Sequence, residues 1–428
     1  MRRDNHLVDF KLGLQEIPYQ GWSNQRMDMT DNSSTQANLH YNGRFTWGDL
    51  DTRLYHERTR HEMQFGDDKL FWYGANNGSI PDGEPGPLAS GMNGRAAGMP
   101  MDTEGINSGL VIKGEIPLSK RDLLRIGGEL QQYNLDDWWD PSGKGMSPKT
   151  FWNINHGERD RLALFGEWEA QWNPQWLTQL GVRGEQVDMN TGTVHGYSAT
   201  ATYNADVAAF NGADRDKTDH NLDLTLLTRF NPNDTRTFEL GYARKTRSPN
   251  LYERYSWSTG GMVMRMVNMA GDGNGYVGNL GLDPEVAHTF SATLDLHDES
   301  AEKWSFKVTP FYTYINDYID AERLDKAKYP NAPAANLTTT DAFVYLKFVN
   351  KSARLYGVDV SGFFPLAQKT QWGDFSASGI LSYVRGENRT TDDNLYNIMP
   401  LNVKLAVNHQ TGGWSNSIEL ELVDDKTK

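Results

Sequence analysis

The chain has 428 residues, no Cys and a formal charge of −14. These features exclude disulfide staples and thiolate metal sites within the span, and they make a nucleic-acid partner unexpected. A chain this long normally divides into domains, yet no linker, Pro- or Ser-rich hinge or low-complexity tract interrupts it. One large barrel resolves this, because a barrel grows by adding strands and not by thickening a core.

The N-terminus, Met1-Arg2-Arg3-Asp4, carries no apolar h-region, so no signal peptide is expected. No apolar run approaches the roughly 20 residues of a transmembrane helix. Mean hydropathy is −0.66, which reads as soluble. That scale is blind to transmembrane strands, whose signal is alternation.

Alternation runs the length of the chain. Val8, Phe10, Leu12 and Leu14 come first, then Leu39, Tyr41 and Phe45, then Leu110, Ile112 and Ile116. Leu162, Leu164, Trp168 and Trp172 alternate with Arg161, Glu167, Glu169 and Gln171. Leu222, Leu224, Leu226 and Phe230 lead through Asn231-Pro232-Asn233-Asp234 into Phe238, Leu240 and Tyr242, a hairpin with one apolar face. Trp304 to Tyr314, Tyr356 to Phe364, Leu401 to Val407 and Ile418 to Leu422 repeat the pattern. The reading is all-β, with about 15 strands.

Tight turns are expected near 46–49, 119–122, 173–176, 231–234, 299–303, 367–373 and 411–413. Long polar loops are expected near 21–33, 67–103, 139–158, 192–220, 249–284 and 326–340, with a shorter one near 388–397. Short turns on one rim and long loops on the other describe an antiparallel meander barrel of the outer-membrane type. Trp47, Trp172, Trp176, Phe230, Trp304, Phe364, Trp372 and Trp414 gather beside the short turns as a periplasmic-side girdle. The competing reading is a soluble β-sandwich or propeller, in which strands are shorter and loops of about 30 residues are uncommon.

Apart from Met1 there are 13 Met. Met27, Met29, Met92, Met99, Met101, Met146, Met262, Met264, Met266 and Met269 are expected in long loops, and Met63, Met189 and Met399 at strand ends beside them. All lie toward one rim. Thioethers are soft ligands that favour Cu(I). The alternative is that these side chains only pack the loops together. The segment 249–284 has no periodic apolar face for Met to complete, so its methionines are expected to be exposed in a mobile, Gly-rich loop, as a weak capture surface.

Thr59-Arg60-His61-Glu62-Met63 follows a strand whose odd positions Asp51, Arg53, Glu57 and Thr59 are polar. His61 and Met63 continue that lumen face, about 7 Å apart along the strand. Imidazole and thioether supply a borderline and a soft ligand. Two are too few for a tight site. His56 has the opposite parity and reads as a rim residue. His56-Glu57 and His61-Glu62 complete no zinc-protease pattern. Asp272-Gly273-Asn274-Gly275 reads as turn chemistry and not as a calcium loop. No nucleophile elbow or phosphate loop is present, so no enzyme is expected.

Arg247-Ser248-Pro249 with Glu253, followed by Gly278-Asn279, Leu282 and Pro284-Glu285, resembles the TonB-dependent outer-membrane receptors. The resemblance implies a Gram-negative outer-membrane barrel of about 22 strands closed by an N-terminal plug. On that comparison residues 1–428 are expected to be an internal barrel fragment, about 15 of about 22 strands, without signal peptide, TonB box, plug or C-terminal strand. Such a piece, expressed alone, is expected not to insert as a stable barrel.

Within the family the chain looks most like the copper receptor branch, whose His-x-Met pair is matched by His61 and Met63. That branch's Cys-x-x-x-Met pair has no counterpart here. Haem receptors carry a His between similar boxes; here no His lies between Arg247 and Glu285, and four Met do. The resemblance therefore implies a monomeric importer of copper ions with no organic cofactor. It would sit among outer-membrane lipid and lipopolysaccharide and be driven by the TonB complex. Two rivals remain. One is a receptor for a siderophore or other metal chelate, held by Trp22, Trp72, Tyr73, Tyr252, Tyr255 and Trp257. The other is a passive porin or surface structural protein.

Overall fold

A computed structural model describes residues 2–3, 5–22, 27–64, 72–73, 96–97, 100–141, 148–199, 201–267, 271–300, 302–340 and 343–425. Among the described residues, fifteen long strands form one antiparallel meander, each paired with its sequence neighbours. They are β1 (His6–Ile17), β2 (Asp28–Phe45), β3 (Gly48–Gln64), β4 (Met101–Pro117), β5 (Asp122–Trp139), β6 (Phe151–Gln171) and β7 (Trp176–Asn190). After helix α1 (Ala201–Gly212) come β8 (Lys217–Asn233) and β9 (Arg236–Arg247). Helices α2 (Leu251–Tyr255) and α3 (Gly261–Met266) precede β10 (Glu285–His297), β11 (Ser305–Arg323), β12 (Tyr345–Thr370), β13 (Gly373–Asn388), β14 (Asn402–Thr411) and β15 (Trp414–Val423).

Period-2 alternation decides the faces. Phe10, Leu12, Leu14, Leu54, Leu162, Leu164, Leu222, Leu226, Phe238, Leu240, Ile418 and Leu420 are exposed and point outward. In water such a surface would aggregate; in a bilayer it is the lipid face. The inner wall is polar. Arg183 bridges Glu129 at 2.8 Å and Glu185 at 2.9 Å, and Arg125 meets Glu115 at 2.9 Å.

Seven short connections lie on one rim, at 46–47, 118–121, 172–175, 234–235, 298–304, 371–372 and 412–413. Aromatic rings stack beside them, Trp176 on Phe230 at 4.4 Å and Phe45 on Trp47 at 5.4 Å, while Trp172, Trp372 and Trp414 are exposed there. These form the girdle expected from the sequence. Long connections leave from the other rim. Two of them are shorter than expected, because β2 already begins at Asp28 and β4 at Met101, which puts Met29 and Met101 in strands. Met92, Met99, Met146 and Met269 lie outside the described residues.

The apolar core sits at the long-loop end of the barrel. Trp139, Phe151, Tyr197, Tyr203, Leu251, Tyr255, Trp257, Val263 and Met266 form its buried cluster. Phe151 stacks on Trp139 at 4.6 Å and on Trp257 at 5.0 Å. The loops therefore carry the packed interior that a soluble domain would place between its layers.

Candidate metal centre

On β3 the outward positions are Leu50, Thr52, Leu54 and His56, then Arg58, Arg60 and Glu62. Arg58 pairs with Glu104 at 2.9 Å and Arg60 with Asp102 at 2.9 Å. Charge on the lipid side is costly within the apolar band, so the band ends near His56. His56 is exposed on that outer face and meets the Ser108 hydroxyl at 2.8 Å, as its parity requires. His61 and Met63 thus stand above the bilayer, on the inner face.

Strand register then builds two rows across the wall. Met29, Met63 and Met101 lie side by side on β2, β3 and β4. One step below, Asn32, His61, Thr103 and Asp137 do the same on β2 through β5. Directly opposed residues carry Cβ atoms about 5 Å apart. A bulge between Met29 and Asp31 keeps Met29 on the inner face, where Asn32 Nδ2 donates to its sulfur at 3.4 Å. Met29 is buried, and Met63 and Met101 pack on the large cluster that also holds Met27, Met189 and Met266. Among the described residues, Asn32 Oδ1 is buried without a partner.

The row below is closed by Asp137. Trp139 Nε1 donates to it at 3.0 Å and Asn153 Nδ2 at 2.8 Å. Tyr252, on α2, bonds through its hydroxyl to both Asp137 and Thr103. Burial pushes the Asp137 carboxyl up to about 6 and the Tyr252 phenol well above its ordinary range. Burial also lowers His61 below the ordinary histidine value, so at neutral pH its imidazole is uncharged and free to donate a lone pair.

Two sequence boxes hold Tyr252 in place. Asn250 caps α2: Glu253 N donates to Asn250 Oδ1, and Asn250 N to Glu253 Oε2, both at 2.8 Å. Arg247 then clamps Glu253 at 2.8 Å and Glu285 at 2.7 Å. Gly278 N donates to Ser256 O at 2.6 Å, and a Cβ at Gly278 would lie 2.8 Å from that carbonyl, so only glycine fits. Arg254 is buried, donating to Leu282 O at 2.7 Å and pairing with Asp219 at 3.2 Å. The spacing of the boxes reflects one folded clasp.

The profile of the TonB dependent receptor-like β-barrel family matches residues 2–425. The chain belongs to the TonB-dependent receptors. It is an outer-membrane β-barrel of the Gram-negative type, as the resemblance implied. No curated protein matches the chain. Among solved structures it is similar to the copper transporter OprC, at 14% identity and a TM-score of 0.72, covering 98% of this chain and 58% of that one. The haemophore receptor HasR of Serratia marcescens follows at 12% and 0.62, covering 98% and 62%. The siderophore receptor PirA from Pseudomonas aeruginosa stands at 15% and 0.57, covering 98% and 60%. The chain spans less than two thirds of each. At these identities the likeness is one of fold, and the three are named for different cargoes.

The capture-loop expectation needs correction. Residues 261–266 form a helix, not an extended loop, and Met264 and Met266 are buried. A two-residue step in a helix turns about 200°, so the two point apart. Met266 joins the large cluster, while Met264 joins a second one with Val277, Leu324, Ala332 and Tyr345. The side chain of Met262 and all of Met269 lie outside the described residues. The aromatic set divides as well. Tyr255 and Trp257 are buried, donating to Arg215 O and Trp152 O at 2.8 Å each, which makes them packing residues. Trp22 is exposed. Trp72 and Tyr73 form part of a two-stranded ribbon with Ala96 and Ala97.

Among the described residues no three His, Cys, Asp or Glu converge as a metal-binding group. Among the described residues, the donors that register sets beside His61 are thioethers, the Asn32 amide oxygen and the Thr103 hydroxyl. Sequence reading placed Met29 and Met101 in loops and missed Asn32, Thr103, Asp137 and Tyr252 at this site; only strand register brings them together.

Proposed function

We propose that the whole receptor imports copper ions across the outer membrane, with His61 and Met63 as barrel-side ligands and Met29 and Met101 beside them. The observation that carries this reading is the thioether row Met29–Met63–Met101, one step from a neutral imidazole on the inner wall. Soft donors select Cu(I) over Mg, Ca or ferric iron. Further ligands would come from the parts of the receptor beyond this chain. The barrel would be driven by the TonB energy-coupling complex.

Uptake of radiolabelled copper by cells carrying the full-length receptor tests the proposal. Uptake should exceed that of cells lacking it and should be unaffected by excess ferric siderophore or haem. Competition by a siderophore, with no copper uptake, would transfer the function to chelate import.

A further inference from the structure

The chain leaves β9 at Arg247 and enters β10 at Glu285. Residues 249–257, between them, lie inside the wall and are tied to six consecutive strands, β4 to β9. Tyr252 bonds Thr103 on β4 and Asp137 on β5. Arg159 on β6 donates through Nε to the Pro249 carbonyl at 3.3 Å, and Trp257 Nε1 donates to the Trp152 carbonyl of the same strand at 2.8 Å. Arg254 reaches the Met189 sulfur on β7 at 3.5 Å and Asp219 on β8 at 3.2 Å. Glu253 meets Arg247 at the end of β9 at 2.8 Å. The clasp continues past that pair, since Glu285 Oε1 accepts from Ile319 N on β11 at 2.7 Å.

These ties are not equivalent. Among the described residues, the hydrogen bonds from 249–257 to β4 and β5 run through the Tyr252 hydroxyl alone. A phenol has one proton, and the Asp137 carboxylate, which only accepts, takes it; the Thr103 hydroxyl then donates to the phenol oxygen. Thr103 stands opposite His61 in register. Met63, Met101 and Tyr252 pack on the same buried cluster, which holds Leu251 and Tyr255. The core at the long-loop end therefore rests on the outward side of the candidate ligands, and its polar fastening to their wall is one hydroxyl. Helix α2 is little more than a single turn, which is not stable by itself in water. Its capping box and Arg247 hold it to the β9–β10 side.

We propose that α2 is an outward gate over the metal centre and that Tyr252 is its latch, a positioning residue whose hydroxyl keeps a loaded ion from returning to the outside. The inference rests on the copper reading of His61 and Met63. While the latch is bonded, α2 and the cluster behind it cover the ion. When the latch parts, the clasp carries α2 away with β9 and β10, and the ligand wall on β3 to β5 is uncovered. The latch sets how fast the ion passes outward, and the ligands set how tightly it is held.

The test follows Cu(I) leaving the loaded full-length receptor in detergent after a Cu(I) chelator is added in excess, with equilibrium affinity measured in parallel. Loss of the latch bonds corresponds to about tenfold in opening. Y252F and T103V should each release copper about tenfold faster. In Y252F the affinity should change by less than about threefold, because a gate speeds entry and exit alike. Y252F/T103V should release no faster than either single variant, since both cut one contact, whereas general damage to the fold would add. In the metal-free receptor, amide exchange over 250–256 should quicken by the same factor in Y252F, with exchange in β13 to β15 unchanged. Unchanged release from copper-loaded Y252F would overturn the proposal, as would an affinity that falls in step with the faster release. If the unaltered receptor takes up no copper, the copper reading fails by itself. The exchange measurement then decides the latch, and unchanged exchange over 250–256 in Y252F sinks it.

Discussion

Met63 on β3 lies directly opposite Met101 on β4, and on its other side opposite Met29 on β2. Neither neighbour is close to it in sequence. Together they convert a two-residue pair on one strand into a three-strand patch of thioethers beside His61.

If the flanking sulfurs are ligands, replacing them with an apolar residue of similar volume separates chemistry from packing. M29L/M101L should cost less than about 1.5 kcal/mol of stability, because Leu and Met nearly match in volume. Copper affinity of the full-length receptor should nonetheless fall by about tenfold or more. Thermal unfolding and a competition titration with a Cu(I) chelator measure the two. Unchanged affinity would leave Met29 and Met101 as packing residues.

Met264 is fully buried between Val277, Leu324 and Tyr345, so its truncation should be felt as a core cavity. Met264→Ala should destabilise the long-loop end by about 2–5 kcal/mol, whereas Met264→Leu should be nearly silent. Amide exchange across 251–282 reads this directly. Equal protection in the Ala variant would restore the picture of an exposed capture loop.

Much of the barrel was legible in the sequence. The outward set Leu222, Leu226, Phe238 and Leu240 and the seven short turns follow from alternation, which is a local signal that each strand carries by itself. Register is not local. Nothing in the sequence around Met101 says that it stands beside Met63, because the connection between their strands is long. Helix α3 was missed for a related reason: residues 261–266 bury two different faces in two different clusters, so no single apolar stripe marks them. The clasp of Arg247, Glu253 and Glu285 was visible as a motif, but its role in pinning Tyr252 over Thr103 and Asp137 needed the fold.

The buried Asp137 predicts a pH dependence with a definite sign. Its folded value, about 6, lies above the unfolded value near 3.8, so the fold holds the proton more tightly. The stabilisation is fully present below pH 3.8 and is lost as pH rises through 6. Two units correspond to about 3 kcal/mol as an order of magnitude. Amide exchange around 137–154 should therefore slow between pH 7 and pH 5, and Asp137→Asn should flatten that slope. Protection that instead rises with pH over this window would contradict the assignment.

His61 titrates in the opposite sense. Its lowered value means the neutral ring persists below pH 6.5, and protonation then removes a ligand. Copper loading should hold at neutral pH and fall only on acidification below the ordinary histidine range. A midpoint above pH 7 would show that some other group controls binding.

Among the described residues, β1 has no long-strand partner besides β2, and β15 none besides β14, so residues 1–428 expressed alone present two open edges. Residues 1–428 by themselves should give no heat-resistant folded band on a gel. A stable band would mean that the fifteen strands close or associate by themselves.

The central claim is that His61 and Met63 are the barrel-side copper ligands. Metal analysis of the purified full-length receptor, unaltered and as H61A/M63A, addresses it most directly. The expected result is near-stoichiometric copper in the unaltered receptor and loss of most of it in the double variant, with the folded band retained. Near-stoichiometric copper in folded H61A/M63A would contradict it.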